Sequence, residues 1–157
     1  QWAWLICFLM GGMFLLWRTY IEFGWNVKQK NLDEDLRKRL KEINKHLDSG
    51  DWRQVGVEGT NSIYYILGEI SGLGGANIQI DKLLLKCPPS LRRELGDDIK
   101  ELLSFFEFVG FAPDEVIGIK KEKATLKKMI SKIDKILTKA VKTTNSMKAE
   151  VEASENL

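Results

Sequence analysis

Few side chains in this 157-residue chain could carry chemistry: one histidine, His46, and two cysteines, Cys7 and Cys87. A hydrolase or transferase needs a nucleophile, a base and a group orienting the base, all converging on one point. His46 stands near the end of a charged segment, where a cation suits a helix C-terminus, and no serine or cysteine motif accompanies it. One histidine and two widely separated cysteines supply neither the four ligands of a zinc site nor a disulfide framework. The acid pairs Asp33-Asp35 and Asp97-Asp98 fall at expected helix starts, where capping accounts for them. Ser71-Gly72-Leu73-Gly74-Gly75 is as glycine-rich as a phosphate cradle. It lacks the Gly-Lys-Ser/Thr ending, however, and follows an expected helix where nucleotide loops follow a strand, so it reads as an interhelical turn. No catalytic, metal-binding or cofactor-binding residue is assigned, no cofactor is expected, and the chain reads as a non-enzyme.

The elements that would position any surface begin with residues 2–17, sixteen residues without a charge or a strongly polar group, bracketed by tryptophans and followed by Arg18. A backbone in hydrocarbon must satisfy its own peptide groups, so the run is expected to be a transmembrane helix. Sixteen residues are short of the usual ~20. Arg18 can snorkel and Trp2, Trp4, Trp17, Tyr20 and Trp25 can lie at the interfaces, making these six the expected membrane-anchoring residues. A signal peptide would carry a basic leader and a small-residue cleavage site, and a soluble core would scatter the tryptophans. The basic residues that follow, from Arg18 to Lys45, place the C-terminal part on the cytoplasmic side. The domain organisation read from sequence is a span and its flank over 1–25, a helical domain over 26–142 and a disordered tail over 143–157. The polar composition beyond Lys142 is the basis for the last.

The net charge of +2 conceals a partition. Residues 31–118 hold 16 acids against 11 bases, whereas residues 119–142 hold 9 lysines against Glu122 and Asp134. A basic face beside an acidic domain either covers that domain, is simply solvated, or meets an anionic lipid or other polyanion. Nucleic acid would call for arginines and exposed aromatics, which the segment lacks. The candidate interaction residues are Lys120, Lys121, Lys127, Lys128, Lys135, Lys139 and Phe111.

Periodicity makes the domain all-α, a small bundle of about five to six helices. Asn31 and Glu34 form a capping-box pattern, and Leu32, Leu36, Leu40, Ile43 and Leu47 make one apolar stripe. Ser49-Gly50-Asp51 closes that helix and caps the next. The second helix, Trp52 to about Ile70, buries Trp52, Val55, Ile63, Ile66, Leu67 and Ile70. Gly56 and Gly59, each costing ~1 kcal/mol in a helix interior, imply close approach of another helix. A short helix over 78–86 ends at Pro88-Pro89, a turn over 91–95 follows, and after Gly96 the pair Asp97-Asp98 is expected to start a longer helix to Gly110. Its large apolar residues span too wide an arc for one stripe, which places it centrally. A last helix from Ile119 to about Val141 carries Ile119, Leu126, Ile133 and Ala140 seven apart, with Ile130 and Leu137 between, a seam expected to pack on the domain.

This order of span, amphipathic helix, Gly50-Asp51-Trp52 turn, glycine-broken helix, Leu83-Leu84-Leu85, Leu95 and Phe111-Ala112-Pro113 resembles, over residues 1–118, the C-terminal part of BatD-type proteins of the Bacteroides aerotolerance, or oxygen-tolerance, family. The resemblance implies β-sandwich domains in the periplasm before Gln1, a single span in the bacterial inner membrane and a cytoplasmic helical domain. It also implies a non-enzymatic docking role beside von Willebrand factor A (VWA)-type membrane proteins and a MoxR-type AAA+ ATPase, in envelope maintenance or stress tolerance. The partners expected are therefore proteins of a membrane complex and membrane lipid, with no nucleic acid. The lysine-rich last helix has no counterpart in that resemblance.

Overall fold

At Ser49-Gly50-Asp51 the chain reverses through a turn that its own residues dictate. Gly50 takes φ 78°, its N–H bonding to the Leu47 carbonyl while the Asp51 N–H reaches the His46 carbonyl, the paired closure that ends a helix in a left-handed residue. Asp51 then accepts from the Gln54 N–H at 3.2 Å and caps the following helix. The computed structural model describes residues 12–15, 32–74, 78–113 and 122–155. It divides into two units, 1–31 and 32–157.

In the first unit, residues 12–15 form a helical turn on which Met13, Phe14 and Leu15 are largely exposed. The rest of the expected span, with Trp2, Trp4, Trp17, Arg18, Tyr20 and Trp25, lies outside the described residues. Among the described residues no helix is long and apolar enough to cross a membrane.

The second unit is all-α, with no strand among the described residues. Its helices are α1 (32–49), α2 (Trp52–Ser71), α3 (Ile80–Lys86), α4 (Pro89–Phe111) and α5 (Lys123–Glu155). Side-chain pairs fix their directions. Tyr65 donates to Asp35 and Arg39 lies over the Tyr65 ring, so α2 runs back along α1. Gly110 of α4 meets Gly56 of α2. Lys132 reaches Asp98 and Glu101, and Lys139 reaches Glu94, so α5 runs antiparallel to α4. Lys123 meets Asp48 at the end of α1. The four long helices thus alternate in direction as an up-down bundle, and α3 packs on α2 and α4.

The core follows the expected stripes. Leu36, Ile43 and Leu47 of α1 are buried, with Val55, Ile63, Ile66 and Leu67 of α2 and Leu126, Ile130, Ile133, Leu137 and Ala140 of α5. Trp52 and Ile70, expected inside, are only partly buried. Ile119 and the Asn31 cap lie outside the described residues. Phe106, fully buried, stands edge-on to Phe105 with ring centroids 5.4 Å apart, and α4 packs on α2, α3 and α5, which explains its wide apolar arc.

Three expectations change. The break at Gly96 is absent: α4 is one helix, started by Pro88 and Pro89, so Asp97 and Asp98 sit in its interior rather than at a cap. Proline at the first helical position presets φ and lacks only an N–H that would be orphaned anyway, and one interior glycine is a ~1 kcal/mol cost that burial of Leu95, Ile99 and Leu102 outweighs. The expected disordered tail is helical to Glu155. Val141 and Thr144 continue the buried seam, the Thr144 hydroxyl donates to the Ala140 carbonyl, and Ser90 donates to the Met147 sulfur at 3.2 Å. Beyond them no proline or glycine stops propagation. The third helix is also shorter, Ile80–Lys86.

The α2–α4 crossing holds glycine by contact. A β-carbon at Gly56 would lie 2.6 Å from the Gly110 Cα and 2.7 Å from the Phe106 carbonyl oxygen, and one at Gly59 would lie 2.6 Å from the Phe106 ring. At Gly96 the nearest atom would be the Arg92 Cγ at 3.9 Å. Gly56→Ala is therefore expected to destabilise by ~2 kcal/mol or more, and Gly96→Ala to stabilise by ~1 kcal/mol, both read from urea unfolding midpoints. A neutral Gly56→Ala would mean that the two backbones do not touch.

Candidate interaction surface

On α5 the buried seam leaves the lysines on the remaining arc of the helix, as a period of 3.6 requires. They divide into two sets. Lys132 lies 2.7 Å from Glu101 and 3.5 Å from Asp98, and Lys139 lies 3.1 Å from Glu94. The hydrogen bond that the Lys132 ammonium donates to Glu101 holds it above the ordinary lysine value. These two cover the acidic side of α4, one of the readings open from sequence. Lys127, Lys128, Lys135 and Lys142 are exposed and, among the described residues, have no carboxylate partner. Lys120 and Lys121 lie outside the described residues.

Phe111, the last residue of α4, is 67% exposed. It stands where α4 ends against the start of α2, whereas Lys139 lies beside Glu94 toward the other end of α4. Phe111 and Lys139 therefore stand toward opposite ends of α4.

Two features were not found from sequence. One is an open cleft of about 570 Å³ between α1 and α5, with Leu36 and Leu40 at its floor and Asp33, Arg37, Asp134 and Thr138 among its walls. The other joins α1 to α2: the Tyr65 hydroxyl donates to Asp35 at 2.8 Å and the Arg39 guanidinium stacks 4.0 Å from the ring centroid. Tyr65 is half-buried, and its hydroxyl is used within the protein. The signal available was the placement of Asp35 and Arg39 four apart on α1, which puts both on one helix face.

The backbones of the remaining candidate residues, His46 and Cys87, serve helix ends. The His46 carbonyl accepts from the Ser49 hydroxyl and the Asp51 N–H at the end of α1. Cys87 is buried, which pushes its thiol up to about 11, and its N–H caps α3 through the Leu83 and Leu84 carbonyls. Among the described residues no three histidine, cysteine, aspartate or glutamate side chains are grouped to hold a metal. Comparison with known proteins finds no matching family model, no similar curated protein and no similar solved structure.

The hydrogen bond to Asp35, followed by partial burial, raises the Tyr65 phenol above its usual value. A raised folded-state value means that this stabilisation is complete below the unfolded tyrosine value of ~10 and is lost as pH rises through the folded one. Tyr65→Phe is expected to cost ~1 kcal/mol at neutral pH, with the gap between variant and parent closing above pH ~10 in thermal unfolding. A gap that persists undiminished into alkali would show that the hydroxyl is not its source.

Proposed function

We propose that this chain is a membrane-tethered helical module that acts by docking other proteins. The observation that carries the reading is the run over residues 2–17, tryptophan-bracketed and followed by Arg18, joined to an independently packed helical unit over 32–157. A ~30 Å hydrocarbon layer is the environment in which such a run is stable as a helix, and the basic residues after it favour retention of the helical unit on the cytoplasmic side. The bundle adds open surfaces, the α1–α5 cleft and the unpaired lysines of α5, of the kind a partner contacts.

The resemblance in residue order to BatD-type proteins supplies the class of partner: VWA-type membrane proteins and a MoxR-type AAA+ ATPase in a bacterial envelope or stress-tolerance complex. In that arrangement the chain is a single-span, non-enzymatic subunit of the inner membrane with the helical domain in the cytoplasm. Its turns and short helices place Gly50, Leu83 and Phe111 at element ends or on short helices, positions that loop and cap chemistry favours in any helical domain.

The full chain is expected to stay with the membrane through alkaline carbonate washing and to purify from mild detergent together with a VWA-type or AAA+ protein. Recovery in the soluble fraction without detergent would overturn the tether, and recovery alone from native membranes would overturn the docking role.

A further inference from the structure

We infer that the outward ridge of α5, formed by Lys128, Lys135 and Lys142, is a contact face for an anionic phospholipid surface. The inference rests on the reading of the chain as membrane-tethered and names the second thing the domain touches.

The three lysines are seven residues apart, so they share one ridge of the helix, with successive Cα atoms ~10 Å apart along the axis. All three are exposed. Between and beyond them on the same side stand Ala124, Ser131, Ser146 and Ala149, small, uncharged and exposed, so the ammonium groups are the most protruding atoms of that face. The row is bounded by lysines that are already neutralised. Lys132 and Lys139 on the α4 side pair with Asp98, Glu101 and Glu94. On the α1 side Asp134 accepts from the Thr138 hydroxyl at 3.2 Å. Elsewhere part of the positive charge is paired: on α1, Arg37, Lys38 and Lys45 each pair with a carboxylate of their own helix, and Lys100 of α4 pairs with Asp81 of α3 at 2.6 Å. Lys41, Lys82, Lys86, Arg92 and Arg93 are likewise exposed without a carboxylate partner, but among the described residues only on α5 do three such bases follow one another along one helix ridge.

The shape of that face selects the partner. A convex, straight row of flexible ammonium groups suits a flat array of negative charges, each lysine near an anionic leaflet adding attraction that falls off within a Debye length. Nucleic acid is recognised with arginine forks and aromatic stacking, and α5 contains no arginine and no aromatic residue.

The test uses the full chain reconstituted into vesicles of phosphatidylcholine alone or with about a third phosphatidylserine. A membrane-impermeant amine-acylating reagent is added and each lysine is read by mass spectrometry against Lys38 on α1 and Lys86 on α3. Lys128, Lys135 and Lys142 are expected to label ~5-fold or more slowly on the anionic vesicles, with labelling restored at ~0.5 M salt. Equal labelling on the two vesicle types would overturn the inference. So would protection on neutral vesicles by an added short RNA or acidic peptide as strong as that given by phosphatidylserine. Flotation of the same samples tests the tether separately. A chain that floats with neutral vesicles yet shows no ridge protection retains its anchor and loses the inference. A chain that floats only with anionic vesicles and shows the protection keeps the inference and loses the anchor.

Discussion

The bundle depends on the backbone contact between α2 and α4. Where Gly56 meets Gly110 and the Phe106 ring lies over Gly59, neither helix has room for a β-carbon. Helices ordinarily cross with side chains between them at 8–10 Å; at Gly56 and Gly110 peptide backbone takes that place, and one turn along the Phe106 ring fills the space that Gly59 leaves. Packed on α2, α3 and α5, α4 buries Leu102, Leu103, Phe105, Phe106 and Val109 together. The crossing also fixes the sliding register of the pair, since ridges of Phe and Val cannot pass through a glycine notch cut for one of them. Everything attached to α4, including the line of acids that meets α5, takes its position from that register.

Charge is then arranged around the apolar frame in two ways. Exposed pairs such as Asp33 with Arg37 and Glu34 with Lys38 lie within α1 and add little to stability. Pairs between helices carry information about topology: Lys132 with Asp98 and Glu101, Lys139 with Glu94, Lys100 with Asp81 and Lys123 with Asp48 tie α5, α3 and α1 into one antiparallel order. The Tyr65–Asp35 hydrogen bond, with Arg39 stacked on the ring, does the same for α1 and α2. The acidic and basic halves of the sequence are thus partly complementary within the fold. The excess of lysine over carboxylate is what remains on the surface of α5, and its position follows from the length of the buried seam.

A bundle of this kind separates two tasks. The core specifies shape through close packing, and the exposed faces are free to meet something else, because substitutions there leave the interior untouched.

The residues alone determined what is local. Glycine with φ 78° followed by an aspartate cap makes the α1–α2 turn, the 3.6 period makes each stripe, and the seven-residue repeat of Leu126, Ile133 and Ala140 makes the seam, because these rest on the geometry of one or two turns of chain. The need for a close neighbour at Gly56 and Gly59 was also legible, since two interior glycines are costly without one, though not the identity of that neighbour. Only the tertiary structure decided that Gly96 lies inside a continuous helix while Gly56 sits against another backbone, because the two glycines have the same propensity and differ only in what surrounds them. It also decided that the polar stretch after Lys142 is helical: its composition is that of a tail, but α5 is already nucleated and is held by burial of Thr144 and the contact of Met147 with Ser90, so each further turn forms without the cost of starting a helix.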